Sequence, residues 1–549
     1  MKKLSLPGVT HAAKCFVCLI ILNAVLHAPL PKSCSAAEKA ETGFEIKGYE
    51  IMGNTIFKTD RLKKAAAPFT GSGKTAEDVE KARDAVEKVY HDAGYPAVMV
   101  NIPEQTLKDG IVKLQVIESR IGKVKVTGNR FFTVQRIMGE LPCFTPGRIL
   151  YMPEVQTELA RLDRNQDIKI EPAMLPGDEL GTIDVELKVK DQLPLHGYLE
   201  LNNRNSPNTK PLRLNAMLRY DNLWQKGHSV SLQFQTVPQD MQETGVLGGS
   251  YCLPAPWDED AQLVFFAIWS NSNVGFGEGF TVVGKGETGG MRYAVPLPPH
   301  GLYSHSITLG IDYKHFDEAV GFIINGTATQ TPISYLPLSL SYGAYLPDKW
   351  GTTQFSAGIN LSLRGLGSDE AEFENKRYKG MANYLYSTMG IQRTQKLPFG
   401  MGLFLKIDGQ LSDRPLIDNE QYIAGGMENV RGYREAEVSG DDAVHATVEV
   451  SFPDPLSKSG IGNWFQSSPF IFYDMADLGT IDPLPGQQRE TRIEGVGAGV
   501  RGSLTKHTEY ELDWAVALDP VVTTNVAGQP ATQVSRNSQR IYFKVKALL

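Results

Sequence analysis

From about His196 to the end of the chain, apolar and polar residues alternate with a period of two, the spacing of β-strands with one apolar face. Within Ala443–Phe452, Val444, Ala446, Val448, Val450 and Phe452 share one face, and His445, Thr447, Glu449 and Ser451 the other. Phe355, Ala357, Ile359, Leu361 and Leu363 alternate in the same way with Ser356, Gly358, Asn360, Ser362 and Arg364. So do Tyr510 to Asp519, and Ile541, Phe543, Val545, Ala547 and Leu549 at the end. About 16 such segments fit between residues 196 and 549, an even number in the range of outer-membrane barrels. A soluble sandwich alternates too. Against it, the polar face carries full charges (Arg213, Arg219, Lys314, Arg364, Lys544, Lys546), which suit a water-filled lumen. Aromatics at predicted strand ends (Trp224, Trp269, Tyr335, Tyr345, Trp350) suit interfacial girdles. The pattern predicts an antiparallel transmembrane β-barrel over 196–549.

The region before it has a different texture. Ile51-Met52-Gly53-Asn54-Thr55-Ile56-Phe57 recurs about 75 residues later as Val126-Thr127-Gly128-Asn129-Arg130-Phe131-Phe132, each copy following a short strand. In the first copy Thr75 and Asp78 form a capping-box start. Val79, Ala82, Val86, Val89 and Tyr90 then share a helical face, which Gly94 terminates. In the second copy Val155, Leu159 and Leu162 repeat that spacing. Alternating strands close each copy: Val112, Leu114 and Val116, then Ile183, Val185, Leu187 and Val189. Both copies read β-α-α-β-β, over 44–118 and 119–192. Gly71-Ser72-Gly73-Lys74-Thr75 imitates the end of a phosphate-binding loop, but Pro68 stands where its first glycine belongs. A helix-to-helix linker is expected there.

Composition narrows the class. The chain has 549 residues, a formal net charge of -7 and 21% charged residues, which argues against nucleic-acid binding. No apolar run after the first 30 residues reaches the ~18 needed for a spanning helix. Lys2, Lys3 and Lys14, the apolar run Cys15 to Leu26 and the small residues Ser35-Ala36-Ala37 form a signal peptide over 1–37. Five cysteines exclude a disulfide scaffold; three lie in the signal, leaving Cys143 and Cys252 as unpaired small hydrophobes. Neither a metal site nor a cofactor is expected. Gly227-His228-Ser229-Val230-Ser231 begins like a nucleophile elbow but ends in serine and lies in a predicted strand, so no enzyme is expected.

One long segment, about 412–442, breaks the alternation, and loops of that length are commonly functional. It contains Val430-Arg431-Gly432-Tyr433, and Phe472-Tyr473-Asp474 follows on a later strand. In this order, behind two β-α-α-β-β repeats, these motifs resemble the two-partner secretion transporters. These are the TpsB type (ShlB/FhaC/HecB-like), within the superfamily of POTRA-containing outer-membrane barrels. The resemblance covers essentially the whole mature chain. It implies two periplasmic POTRA domains, a 16-stranded barrel and a loop folded back into the pore. Arg431 then pairs with Asp474 in the lumen, where Phe472 shares the face of Asp474, Gly432 allows a tight tip and Tyr433 packs on the wall.

The resemblance further implies transport of a large exoprotein, an adhesin or haemolysin with an N-terminal secretion domain, out of the cell. Expected partners are that exoprotein, outer-membrane lipid and lipopolysaccharide, and the barrel assembly machinery during biogenesis. Val98-Met99-Val100-Asn101 is the candidate POTRA edge for strand addition by unfolded substrate. The alternative is a factor that inserts other outer-membrane barrels, although such factors usually carry more than two POTRA repeats. Two departures stand out. Cleavage near Ala37 leaves about six residues before Phe44, so no plug helix is expected ahead of the first repeat. The chain closes on Ala547-Leu548-Leu549 where such barrels commonly carry an aromatic, with Tyr542 and Phe543 close by.

Overall fold

The structure, a computed structural model, describes residues 43–549 apart from 164, 208, 242–244, 272–273, 277–279, 283–284, 318, 325–326, 368, 458–464, 486 and 525–529. The expected signal peptide and the question of a plug helix lie outside the described residues. The chain forms two compact units. One takes residues up to Lys125 with Leu141–Arg161 and Pro172–Leu187; the other takes Val126–Glu140, Leu162–Glu171 and Lys188–Leu549. The second repeat contributes to both.

In the first repeat, strand Ile111–Glu118 is central, parallel to Gly48–Met52 and antiparallel to Val98–Asn101. Helix Ala76–Asp92 starts with the Thr75–Asp78 capping box and buries Val79, Ala82, Val86 and Tyr90 on its inner stripe. These pack with Leu62 and Ala66 of helix Thr59–Ala66 on Val98, Val100, Val112, Leu114 and Val116 of the sheet. The segment Gly71–Lys74, expected to be a linker, is instead a strand paired antiparallel with Phe44–Ile46. Gly71 and Gly73 reach φ of 128° and 70°, which lets the crossing backbone turn and find partners there.

The second repeat has strand Arg120–Thr127, helices Val134–Glu140 and Met152–Leu162, and strands Ile168–Pro176 and Thr182–Asp191. Its Gly-Asn turn is built as in the first. Gly53 and Gly128 sit at φ of 83° and 86°, where a Cβ would stand 2.3 Å from the Val116 carbonyl oxygen and 2.4 Å from that of Val189. Asn54 and Asn129 donate from Nδ2 to Phe57 and Phe132 carbonyls at 2.8 and 2.9 Å. A carboxylate then collects the free N–H groups beyond each turn. Glu118 accepts from Thr55 and Ile56 at 2.7 and 2.9 Å, and Asp191 from Phe131 and Phe132 at 2.6 and 2.9 Å. The repeated heptapeptide therefore encodes one device: a glycine turn against the closing strand, capped by the acid at that strand's end.

In the second unit the alternating strands close into a barrel. Leu195–Asn202 pairs with Arg213–Leu223 on one side and with the last strand, Gln539–Leu548, on the other. Ile333–Tyr335 and Leu338–Asp348 both pair with Tyr303–Phe316, so they are one strand interrupted at Leu336-Pro337 and the barrel has sixteen. Pro337 has no N–H to give the ladder. Leu340, Ile359, Ile407, Ile471, Trp514 and Ile541 are exposed on the outer wall, whereas His445, Thr447, Glu449, Asp474 and Asp513 are buried inside. Connections at one end are short, such as 301–302, 349–350 and 506–507; at the other they are long, such as 363–383, 413–441 and 518–538.

Three expected positions are corrected. Tyr335 is no girdle residue: it is 1% exposed, and its hydroxyl donates to Glu420 at 2.6 Å. Tyr345 pairs with Ser304 on the lumen-facing side. Arg364 lies beyond the strand, which ends at Ser362, and pairs with Glu370 at 2.7 Å. Period-two alternation cannot show where a strand stops, nor which tyrosines trade the lipid boundary for an interior acid. Trp224, Trp269 and Trp350 are exposed as the girdle pattern expects.

The Glu118 carboxyl has a pH consequence. Burial alone would raise it, but the Ile56 and Thr55 N–H groups and the Thr55 and Tyr90 hydroxyls hold it below the ordinary glutamate value of 4.5. Because the folded value is lowered, the stability it gives the first repeat is complete above about pH 4.5 and is lost as pH falls through the folded value. Glu118→Gln should flatten that loss. Urea titrations of the full chain at pH 7 and pH 4, followed by hydrogen exchange of residues 48–118, read it; equal pH sensitivity in both proteins refutes the assignment.

Candidate functional site

Loop 413–441 joins strands Gly402–Ser412 and Asp442–Ser451. It is ordered by its own small hairpin, Tyr422–Ala424 paired with Val438–Gly440. Beyond that hairpin Gly425 and Gly426 take φ of 103° and 117° and turn the chain towards the tip. At the tip Val430, Arg431 and Tyr433 are all buried, against the barrel wall.

Arg431 meets Asp474 through three hydrogen bonds. Its Nε donates to Oδ2 at 2.7 Å, its Nη2 to Oδ1 at 2.9 Å and its backbone N–H to Oδ2 at 3.1 Å. Its Nη1 donates to Glu449 Oε2 at 3.0 Å, and the guanidinium lies over the Phe472 ring at 3.4 Å from the centroid. Asp474 is 0% exposed and Arg431 5%. The fork geometry of an arginine and a carboxylate accounts for the paired contact, and the ring face adds cation–π attraction. Such a pair gains little over apolar packing, yet removing one partner strands the other charge at a cost of about 3–5 kcal/mol. Arg501 shares Glu449 and lies over Phe470 at 4.5 Å, so two cations face two carboxylates between two phenyl rings.

The wall is shaped to receive this tip. On strand Glu490–Thr505, Gly495, Gly497 and Gly499 recur at the strand's period of two on one face. A Cβ at Gly495 would stand 1.8 Å from the Arg431 carbonyl oxygen, at Gly497 2.6 Å from Phe472 Cζ, and at Gly499 2.4 Å from Phe470 Cζ. Three missing side chains thus make the slot that the loop backbone and both rings fill. Gly432, at φ 109°, comes so close to strand Thr508–Ala517 that a Cβ would meet Ala517 N at 2.9 Å. Its N–H donates to the Tyr542 hydroxyl at 2.9 Å, and that hydroxyl donates to the Tyr433 carbonyl. The Tyr433 hydroxyl lies 2.9 Å from the Asp519 carbonyl oxygen and accepts from the Asp519 N–H at 3.1 Å.

Val430, Arg431, Gly432 and Tyr433 therefore stand together with Phe472 and Asp474, while Tyr473 between them is exposed on the other face of its strand. Sequence reasoning missed Glu449, Arg501, Tyr542 and the glycine slot. The alternating Gly495-Val496-Gly497-Ala498-Gly499 was the available signal, because glycine so spaced on a strand marks close approach. A polar cavity of about 710 Å³ remains in the lumen, lined in part by Arg204, Lys314, Lys406, Lys544, Glu428 and Glu435. Among the described residues one group has metal-ligand types, Asp167, His196 and Asp221. Its polar atoms engage one another and neighbours: His196 Nε2 lies 2.9 Å from Asp167, Gln192 donates to Asp167 at 2.9 Å, and Arg219 to Asp221 at 3.0 Å.

Val98, Met99, Val100 and Asn101 form the outer strand of the first repeat's sheet, remote in sequence from the loop. Val98 and Val100 point into the core and Met99 is exposed. The outward backbone groups are already engaged by helix Ala76–Asp92: the Val100 N–H donates to Glu87 at 3.0 Å, and His91 Nε2 lies 3.1 Å from the Val98 carbonyl oxygen.

A closed sixteen-stranded barrel with a long loop pinned inside it, preceded by small α+β repeats, defines a POTRA-bearing outer-membrane transporter. Comparison with known families agrees. Residues 44–119 match the POTRA domain, ShlB-type, and residues 181–502 match the haemolysin secretion/activation protein ShlB/FhaC/HecB. The chain belongs to this family of two-partner secretion transporters of the outer membrane. It is 21% identical over 451 residues to outer membrane transporter CdiB of Dickeya dadantii (strain 3937), covering 78% of this chain and 76% of that one. With CdiB-2 of Burkholderia pseudomallei (strain 1026b) it shares 22% over 506 residues, 88% of this chain and 80% of the other. The solved CdiB from Escherichia coli superposes with a TM-score of 0.62 at 15% identity, covering 99% of this chain and 100% of that one. POTRA domains of this family are periplasmic. The barrel's first strand enters at the short-turn end, so the long connections, loop 413–441 among them, belong to the cell surface.

The slot yields a direct expectation. Gly495→Ala sets a methyl group where the Arg431 carbonyl sits, with no other atom as close. The Gly432 amide should then exchange hydrogen at least about tenfold faster, the equivalent of about 1.4 kcal/mol, while exchange of the flanking strands is unchanged. An unaltered Gly432 rate means the glycine does not seat the loop.

Proposed function

We propose that loop 413–441 is the gate of the translocation path and that Arg431–Asp474 is its latch. The observation that carries this is the burial of a loop-borne arginine on the wall carboxylates Glu449 and Asp474, 18 and 43 residues away in the chain. With the loop in place its tip and stem both occupy the lumen, whereas an extended polypeptide needs a passage through the whole ~30 Å core. Substrate passage therefore requires the tip to leave its slot.

The cargo is a large exoprotein of adhesin or haemolysin type with an N-terminal secretion domain. Residues 44–118 and 119–192 act as its two periplasmic POTRA modules and 196–549 as the conduit. Edge Val98–Asn101 receives the unfolded chain by strand addition, which requires the Glu87 and His91 side chains to yield their places. Lipid and lipopolysaccharide surround the apolar outer wall, and the barrel assembly machinery inserts it. Folding of the cargo outside the cell biases its movement, and no catalytic chemistry is assigned.

Arg431→Ala should reduce secretion of the exoprotein encoded beside this chain by at least about tenfold, the scale of a buried charge left unpaired. Barrel level and heat-modifiable gel mobility should stay normal. Secretion at the wild-type rate rules out the latch; a periplasmic cargo despite a wild-type barrel rules out the cargo.

A further inference from the structure

The tip is not the only place where a buried charge ties loop 413–441 down. At its other end, next to strand Asp442–Ser451, stands Asp441, 0% exposed. Its carboxylate accepts from the Leu416 N–H at 2.9 Å and Gln421 Nε2 at 2.9 Å, both in the same loop. It also accepts from the Ile481 N–H at 2.7 Å, in connection 480–489, and from Arg377 Nη2 at 3.2 Å, in connection 363–383. Arg377 Nη2 in turn donates to the Ile481 carbonyl at 3.2 Å. One buried carboxylate thus joins three surface connections, and Arg377 is the cation in direct contact with it.

Connection 363–383 is itself folded inward. Its helix Glu370–Lys376 buries Phe373 against Tyr335 and Tyr384, at ring centroid distances of 5.5 and 6.1 Å. Leu416 and Ile417 of the pore loop belong to the same apolar cluster. Just beyond them Glu420 accepts from Lys314 Nζ at 2.6 Å and from the Tyr335 and Tyr386 hydroxyls at 2.6 and 2.9 Å. Outside the junction, Lys379 and Asp482 pair at 3.1 Å between the same two connections. The stem of the pore loop therefore cannot leave the lumen while Asp441 holds Arg377 and Ile481.

We propose that Arg377 is a positioning residue for translocation: with Asp441 it forms a second latch, at the surface end, which locks the stem of the pore loop to connections 363–383 and 480–489. This rests on the reading of loop 413–441 as the gate. The physical logic is that of the tip, since removing Arg377 leaves Asp441 its three neutral donors but strands its charge in a buried site. The side chains involved lie in connections, while the Asp441 backbone is held on the barrel by the Gly479 carbonyl and by Gln410, so the latch joins the other two connections to a fixed point. Opening then takes two events at opposite ends of one loop, so loss of either latch raises the open fraction while the other still favours the closed state.

The test is single-channel recording of the purified full chain in planar lipid bilayers, for wild type, Arg377→Ala, Arg377→Lys, Arg431→Ala and the Arg377/Arg431 double alanine variant. Arg377→Ala should raise the open fraction about tenfold, Arg377→Lys should recover most of the closed behaviour, and the double variant should open more than either single one. Hydrogen exchange at the Leu416 and Ile481 amides should accelerate in Arg377→Ala and stay as in wild type in Arg431→Ala. If Arg431→Ala opens the channel while Arg377→Ala matches wild type, the second latch is wrong and the gate stands. If neither opens it, the gate reading itself fails. If both Arg377 variants lose heat-modifiable mobility, Arg377 is a folding residue and the proposal is overturned.

Discussion

A charge taken out of water must find an opposite charge and fill its hydrogen bonds, or the arrangement that buried it does not persist. Arg431 is such a charge, carried into the barrel by a loop and met there by Asp474 and Glu449. The neighbouring wall follows from that demand. Phe472 offers its face to the guanidinium, Gly495 leaves room for the arginine backbone, and Tyr542 bridges the two following residues. The pairing adds little net stability compared with an apolar plug, but it discriminates one loop position from all others. That is the property a gate needs: a closed state that is specific and an open state in which both partners can regain water.

The two small repeats obey a local version of the same rule. Each glycine turn exposes N–H groups to the end of the closing strand, and Glu118 or Asp191 collects them. An acid at that place satisfies several donors at once, which explains why the pattern returns with different flanking residues. In the first repeat side chains also finish the sheet. Glu87 and His91 take the hydrogen-bonding places of a neighbouring strand along Val98–Asn101. An exposed edge would invite indiscriminate pairing, and side-chain caps guard it while remaining displaceable.

The barrel divides its labour between its faces. Outside, Leu340, Ile407, Trp514 and Ile541 present a continuous apolar wall. Inside, charges occur in compensated groups: Lys314 with Glu420, Lys544 with Glu511, Arg204 with Glu428 and Glu435. Loop 413–441 uses several of these groups as moorings at both its tip and its stem, so the polar lining serves closure as well as passage.

Much of this was legible in the chain itself. Alternation is a local property: each strand declares its two faces through residues two apart, so the barrel, its strand count and the shared face of Phe470, Phe472 and Asp474 followed from the sequence. The helical stripe Val79-Ala82-Val86-Tyr90 and the repeated Gly-Asn turns were legible for the same reason. The motifs Val430-Arg431-Gly432-Tyr433 and Phe472-Tyr473-Asp474 named the partners of the tip, since family resemblance links them across 43 residues. What the sequence could not supply were partnerships set by closure of the barrel, because no periodicity relates strands far apart in the chain. Glu449 beside Arg431, Tyr542 beneath Gly432 and the slot at Gly495 arise where strands meet the loop tip. Tyr335, placed by its sequence at a strand end, turned inward because Glu420 lay there to receive its hydroxyl, and Arg377 found Asp441 only because three surface connections converge over the lumen. Local spacing determined which residues could face inward; the tertiary structure decided which of them met, because buried charges accept only the neighbours that a closed barrel brings within hydrogen-bonding reach.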